Sequence, residues 1–278
     1  MTGTDGEVAH VLSIAGTDPS GGAGIGADLK TFSALGAYGM TVVTALVAQT
    51  TTGVTAVQRV TPEFVTAQID TLFADVRIDA VKIGMLADAG VVTAVAAALR
   101  RWRPPLVVVD PVMVATSGDR LLDPEAVDAL RDDLIPMADL ITPNVAEAAV
   151  LAGTDPVATL DAAEHQAQEL AERLATRVLL KGGHLGGARS VDVLVEGDGA
   201  VRLFEAARVD TINTHGTGCT LSSAIAALRP RTATWAEAVD GAKSYLTAAL
   251  GASEVLHVGH GHGPVHHFWA WWPPRPAD

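Results

Sequence analysis

The chain has a single cysteine, Cys219, among 278 residues, so no disulfide can close within it. It has no cluster of Lys and Arg: 19 basic residues against 32 acidic ones leave a formal net charge of −13. Nucleic acids and anionic membranes are held by concentrated positive surface, so neither is expected as a partner. No apolar run approaches the ~20 residues needed to cross a bilayer, because Gly, Pro or a charge interrupts every candidate. Residues 1–7 are polar and acidic, not basic and then apolar as an export signal is. These absences lead to the expectation of a cytoplasmic protein. Aromatics make up only 4% of a chain that is 49% hydrophobic, so the apolar content is mainly Ala, Val and Leu in short runs. That is the composition of an α/β protein. No G-x-x-x-x-G-K-[ST] run occurs, which removes the standard P-loop.

What is present alternates between strand and helix patterns. Residues 8–15 read as a short strand, 17–24 as a loop, and 25–35 as a helix closing at Gly36. Residues 40–48 read as one buried strand ending at Gln49. Thr61-Pro62-Glu63 opens a helix whose inner face holds Val65, Ile69, Leu72, Phe73 and Val76. Strands at 80–84 and 106–109 flank a helix at 88–101. Asp123-Pro124 starts another helix, 140–142 is a strand, Asn144 opens a helix, and 159–176 and 177–180 form the next helix and strand. Residues 191–195 and 200–206 flank Glu196-Gly197-Asp198-Gly199, a hairpin signal. A last amphipathic helix spans 234–250. The expectation is a three-layer α/β/α fold, with a mainly parallel sheet covered on both faces and an antiparallel edge hairpin. Without repeat or linker, 1–278 reads as one domain, its residues 1–7 disordered and a Gly/His/Trp-rich tail at 257–278 packing on it.

One run stands out: Asn213-Thr214-His215-Gly216-Thr217-Gly218-Cys219-Thr220, directly ahead of the apolar segment 221–228. Small residues let backbone N–H groups converge on an anion, and the following helix adds its positive dipole end. A thiol in a first helical turn is where thiolate is favoured, which makes Cys219 a candidate reactive group. The same run also reads as a plain turn with a cap and a buried Cys.

In an open parallel sheet ligands bind beyond the carboxyl ends of the strands. Gly16-Thr17-Asp18, Gln49, Gly84-Met85, Asp110, Asn144 with Glu147, and Lys181-Gly182-Gly183 all follow expected strands. Taken singly they have ordinary explanations: Asp110-Pro111 as a strand stop, Asn144 and Glu147 as a helix cap, Lys181 as a solvated charge. Together they supply what phosphoryl transfer needs: acids and an amide for Mg²⁺ and its waters, a Lys for phosphate charge, and N–H groups facing the transferred group. Gly22-Ala23-Gly24-Ile25-Gly26-Ala27 fits G-x-G-x-x-A but sits several residues past the first strand, which argues against a dinucleotide site. His257, His260, His262, His266 and His267 suggest a metal site by spacing, although intervening glycines favour a loop.

Asn144-x-x-Glu147 and the Gly-Thr-Gly turn before a helix resemble the two signatures of ribokinase-like kinases. Residues 15–24, 45–49, Lys82-Ile83-Gly84-Met85, Asp110-Pro111-Val112-Met113, Lys181-Gly182-Gly183-His184 and His215-Gly216-Thr217-Gly218-Cys219 extend the likeness. From about Val11 to Pro264 the chain resembles the hydroxymethylpyrimidine/phosphomethylpyrimidine kinases of thiamine biosynthesis. The resemblance implies that Gln49 reads the pyrimidine's amino group and ring nitrogen. Met85 and Val112 would sandwich the ring, with Gly16 and Asp28 at the substrate end. Asp110 and Glu147 would act on Mg²⁺, Asn144 and Lys181 on ATP phosphates with His215 lining that site, and Gly216, Thr217, Gly218 and Cys219 as the anion hole. Most ribokinase-like kinases place a catalytic Asp where Cys219 stands, so the resemblance makes Cys219 the base or the group that orients the substrate hydroxyl. Gly26 departs from the Gln common in relatives. The likeness also implies a homodimer. A pyridoxine or pyridoxal kinase and a non-catalytic sensor are the alternatives; Gln49 favours the aminopyrimidine, and Asp110, Glu147, Lys181 and Cys219 favour a catalyst.

Overall fold

A run such as Val107-Val108-Val109 carries no polar face and is stable only in a strand covered on both sides. The computed structural model describes residues 7–114, 122–183 and 185–272. The expectation of a disordered start therefore falls almost wholly outside the described residues, as do His184 and the last six residues of the tail. The chain runs β1 (His10–Ala15), α1 (Gly24–Ala34), β2 (Tyr38–Val43), β3 (Ala45–Thr50), β4 (Gly53–Arg59), α2 (Pro62–Phe73), β5 (Ala80–Ile83) and α3 (Ala89–Trp102). It continues through β6 (Val107–Val109), α4 (Pro124–Ala129), β7 (Leu140–Ile141), α5 (Val145–Ala152), α6 (Leu160–Leu174) and β8 (Arg177–Leu180). The hairpin β9 (Arg189–Val195) and β10 (Val201–Ala207) follows, then α7 (Thr217–Leu228) and α8 (Trp235–Gly251).

Among the described residues the main sheet has the order β10-β9-β8-β7-β6-β5-β1-β2, parallel from β8 to β2 and antiparallel through the β8-β9-β10 edge. The two-residue period of the strands sends alternate side chains to opposite layers. Val81, Ile83, Val107, Val109 and Ile141 pack with the faces of α2 to α6. Ala80, Val108, Leu140 and Leu179 pack instead with α1, α7 and α8. The expected three-layer α/β/α architecture with its edge hairpin is therefore present. Helix starts follow the capping chemistry: Thr61, Asp88, Asn144, Thr159 and Thr234 each accept a first-turn N–H through the side chain. Among the described residues no helix is long and apolar enough to cross a membrane.

Two expectations are corrected. The single strand read at 40–48 is two strands in two sheets. Thr44 breaks it: its N–H donates to Ala15 O at 3.0 Å and its hydroxyl to Met85 O at 2.7 Å, which turns the chain out of the main sheet. β3 then pairs antiparallel with β4, a strand absent from the sequence-based expectation although Thr51-Thr52-Gly53 is a turn between alternating runs. The second correction is Val76, which lies beyond the end of α2 at Phe73.

Candidate active site

Parallel pairing of β6, β7 and β8 aligns their carboxyl ends, and the residues just beyond each strand converge. Lys181 N–H donates to Pro143 O at 2.8 Å, which continues the ladder past β8 and sets Lys181 beside Asn144. The Lys181 ammonium reaches Asp110 Oδ1 at 2.7 Å and lies 3.8 Å from Glu147 Oε2. Thr142 Oγ1 and Ser222 Oγ donate to Asp110 at 3.1 and 3.3 Å. Burial opposes charge on Asp110, but the nearby Lys181 and Lys82 and these bonds hold its carboxyl below the usual range. Burial acts the same way on Lys181, and the Asp110 and Glu147 charges reverse it, so Lys181 stays protonated. Glu147 is the weak member. Burial, with the Asp110 charge added, pushes it up to about 7 against the pull of Lys181. Asn144 and Glu147 also form a reciprocal cap at 2.8 and 2.9 Å, so the cap reading of these residues holds, and it leaves Glu147 beside Lys181.

The turn into α7 faces this cluster. Gly216 has φ +76°, and a Cβ there would fall 1.7 Å from Gly22 O, so only glycine fits. A Cβ on Gly218 would sit 3.2 Å from Lys181 Nζ and 3.5 Å from Asp110 Oδ2. The first turn of α7 at Gly218 thus packs directly against the cation and its acid. Cys219 comes next, and the Gly24 N–H at the start of α1 favours its ionised form. Against the thiolate expected at a helix start, burial pushes this thiol up to about 11, more than Lys82 and the Gly24 N–H pull it down. The cation that would favour thiolate, Lys82, is already committed to Asp28.

Gly16, Met85 and Val112 come together beneath β3. Met85 packs with Ala45, Val47 and Val112, and a Cβ on Gly16 would meet Met85 Cε at 2.7 Å. Thr17 anchors β3 to the end of β1 by N–H to Ala45 O and by accepting from Val47 N, both at 2.9 Å. Gln49 is half-buried on β3 at a register shift after Ala48. Two of the expected site residues take buried partners. Asp28 is fully enclosed, accepting from Lys82 Nζ at 2.9 Å on each oxygen and from Ser13 and Ser223 at 2.6 Å, so both its oxygens are engaged within the fold. His215 is buried with Nε2 on Asp18 Oδ2 at 2.7 Å and pins the loop after β1. Asp18 also accepts from Ser20 and from Ala23 N. The sequence carries no assignment for Lys82, Thr142 or Ser222, and names Asp18 only among the residues that follow strands. A lysine inside the apolar run Ala80-Val81-Lys82-Ile83 was the available signal, because such a charge must find a buried partner.

An acid–lysine–acid cluster at the strand ends, facing a glycine turn that caps a helix, defines a small-molecule phosphotransferase of the ribokinase-like class. A family model described as phosphomethylpyrimidine kinase matches residues 18–266, and the chain belongs to that family. It is 56% identical to the hydroxymethylpyrimidine/phosphomethylpyrimidine kinase of Escherichia coli over 263 residues, 95% of this chain and 98% of that protein. Among solved structures it resembles an ADP complex of Bacillus subtilis pyridoxal kinase, with TM-score 0.86, 37% identity and coverage of 94% of this chain and 98% of the other. It also resembles phosphomethylpyrimidine kinase from Clostridium difficile, with TM-score 0.76, 41% identity and coverage of 87% and 99%.

Proposed function

We infer that the chain transfers the γ-phosphoryl group of ATP to the hydroxymethyl group of 4-amino-5-hydroxymethyl-2-methylpyrimidine, and then converts the monophosphate to the diphosphate, in thiamine biosynthesis. Membership of the family supports the reaction. The observation that carries its placement is the Lys181–Asp110 pair at 2.7 Å lying against Gly218 of the α7 turn. Phosphoryl transfer asks a protein mainly for position and for charge opposite the equatorial oxygens. Lys181 and the amides of Gly216, Thr217, Gly218 and Cys219 would supply that charge. Asn144 spends its carbonyl oxygen on the cap, so its NH₂ is the half that would meet a phosphate.

Asp110 and Glu147 would hold Mg²⁺. Their chemistry fits the ion: both are hard oxygen donors, and Glu147, raised to about 7, marks a carboxylate pair short of positive charge. Mg²⁺ supplies neutralisation of phosphate charge when bound. On the substrate side Gln49 would pair with the amino group and ring nitrogen, and Met85 and Val112 would hold the ring. Cys219 enters as a thiol, which assigns it to orienting the substrate hydroxyl. In a loose transition state the alcohol proton need not leave before the P–O bond forms, so a strong base is not required.

The likeness to a pyridoxal kinase makes pyridoxal the competing substrate. ADP release under Mg-ATP, measured with the pyrimidine, its monophosphate, pyridoxine and pyridoxal, tests the reading. Turnover on the first two is expected. ADP from none of the heterocycles would sink the kinase, and preference for pyridoxal would replace the substrate.

A further inference from the structure

The tail motif Gly259-His260-Gly261-His262-Gly263-Pro264 has no part in the reaction above, yet its placement is specific. The N–H groups of His260 and Gly261 donate to Thr51 Oγ1 at 3.2 and 3.1 Å, and that of His262 donates to Thr51 O at 3.0 Å. Thr51 begins the β3–β4 turn, two residues after Gln49, and it is buried. At the other end His215 N–H donates to Gly263 O at 3.0 Å, and His215 and Pro264 form a parallel bridge. The three glycines sit against fixed atoms. A Cβ would lie 2.1 Å from Thr51 Oγ1 at Gly259, 2.2 Å from Thr51 O at Gly261 and 2.1 Å from Asn213 Oδ1 at Gly263. The strap therefore runs from the tip of the small sheet to the residue before Gly216.

The small sheet needs such a tie. It leaves the main sheet at Thr44, its second strand is largely exposed, and its Thr17 anchors lie near the base of β3. Gln49 stands between that anchored base and the tip, at the register shift. We propose that residues 259–264 form a positioning strap for substrate recognition, fixing the distance between Gln49 and the Gly216 turn by tying Thr51 to His215. The strap acts through Gln49 and touches no reacting atom. This inference rests on the kinase reading, in which the ring is held at Gln49 and the phosphate at the turn; misplacement of either end by about 1 Å costs roughly 10²-fold.

The test compares Gly261→Ala, Thr51→Val and Thr51→Ser. The first two are expected to raise KM for the pyrimidine by about tenfold or more and to lower its preference over pyridoxal, with KM for ATP within about twofold. Thr51→Ser keeps the acceptor and should behave as the wild type. Amide hydrogen exchange at residues 50–54 should quicken in the first two variants and not in Thr51→Ser. Unchanged pyrimidine KM, or equal rises for pyrimidine and ATP, would overturn the strap. Should Gly261→Ala fail to fold, the Thr51→Val and Thr51→Ser pair decides. If the wild type phosphorylates none of the heterocycles, the kinase reading falls while exchange still decides the tie: unchanged exchange in Thr51→Val refutes it, and faster exchange supports it.

Discussion

Lys181 donates to Asp110 at 2.7 Å across 71 positions of sequence, and the α carbon of Gly218 faces that bond. The three residues come from the end of β8, the end of β6 and the first turn of α7. Their meeting is a consequence of strand order: β6, β7 and β8 are neighbours and parallel, so the residues just past their carboxyl ends arrive at one edge. A cation enclosed by two acids is fixed in place before any anion binds, which is the preorganisation that charge stabilisation requires.

Gly218→Ala tests this directly. The position is in the first turn of a helix with no positive φ, so alanine suits the backbone, but its Cβ would press on Lys181 Nζ at 3.2 Å. The expected result is a melting temperature close to that of the wild type and a kcat lower by about 10²-fold, the usual cost of disturbing one anion-hole element. Gly216→Ala should instead unfold readily, because its positive φ and the 1.7 Å approach to Gly22 O leave no room. Steady-state kinetics and thermal melts check both, and a kcat within twofold for Gly218→Ala would contradict the arrangement.

The buried Lys82–Asp28 pair yields a stability prediction. Both side chains are fully enclosed, and Asp28 takes further bonds from Ser13 and Ser223. Removing one partner strands the other, at a cost of about 3–5 kcal/mol, whereas removing both together often costs less. Asp28→Asn and Lys82→Met should each lose that amount in urea unfolding. The double variant should lose less than the sum, and strict additivity would show that the two groups are not coupled.

Strand and helix periodicity made the three layers legible because Val, Leu and Ala dominate and few aromatics confuse the pattern. Site residues after β6, β7 and β8 were legible for the same reason: a polar residue ending an apolar run marks the ligand edge. For Asp28 and His215, sequence spacing carries no sign of the partner that a buried side chain takes. Each is claimed by a partner far along the chain, Lys82 for the first and Asp18 for the second. The β3–β4 sheet was lost at Thr44, where a hydrogen bond to Met85 O, not a Gly or Pro, ends the strand. The cysteine was legible as a position and illegible as a charge state, since desolvation depends on the whole fold.

Cys219 is the only thiol, so alkylation reports on it alone. Held at about 11, it is almost wholly protonated at pH 7.5, with fewer than about one in 1,000 ionised. Reaction with iodoacetamide, followed by mass spectrometry, should be slow at pH 7.5 and quicken about tenfold per pH unit towards pH 11. Cys219→Ser retains a hydroxyl able to orient the substrate and should keep kcat within about tenfold, while Cys219→Ala should lose about 10²-fold. Fast labelling at pH 7 would restore the thiolate, and equal kcat for Ser and Ala would remove the orienting role.

The proposed role of Glu147 at the cation site yields a pH prediction. Its carboxyl is raised from an ordinary 4.5 to about 7, so between those values the folded protein holds a proton that the unfolded chain has released. The resulting stabilisation is complete below about pH 4.5 and is lost as pH rises through about 7. Cation binding needs the opposite form, the carboxylate. Apparent Mg²⁺ affinity should therefore increase with pH up to about 7 and then level off, with proton release on binding below that point. Glu147→Gln keeps an acceptor for Asn144 N–H, so the α5 cap and the melting temperature should change little. The Mg²⁺ concentration needed for half-maximal rate should rise and lose its pH dependence. The decisive measurement is rate against Mg²⁺ at pH 6, 7 and 8 for both proteins; a pH dependence that survives in Glu147→Gln would assign the titration to another group.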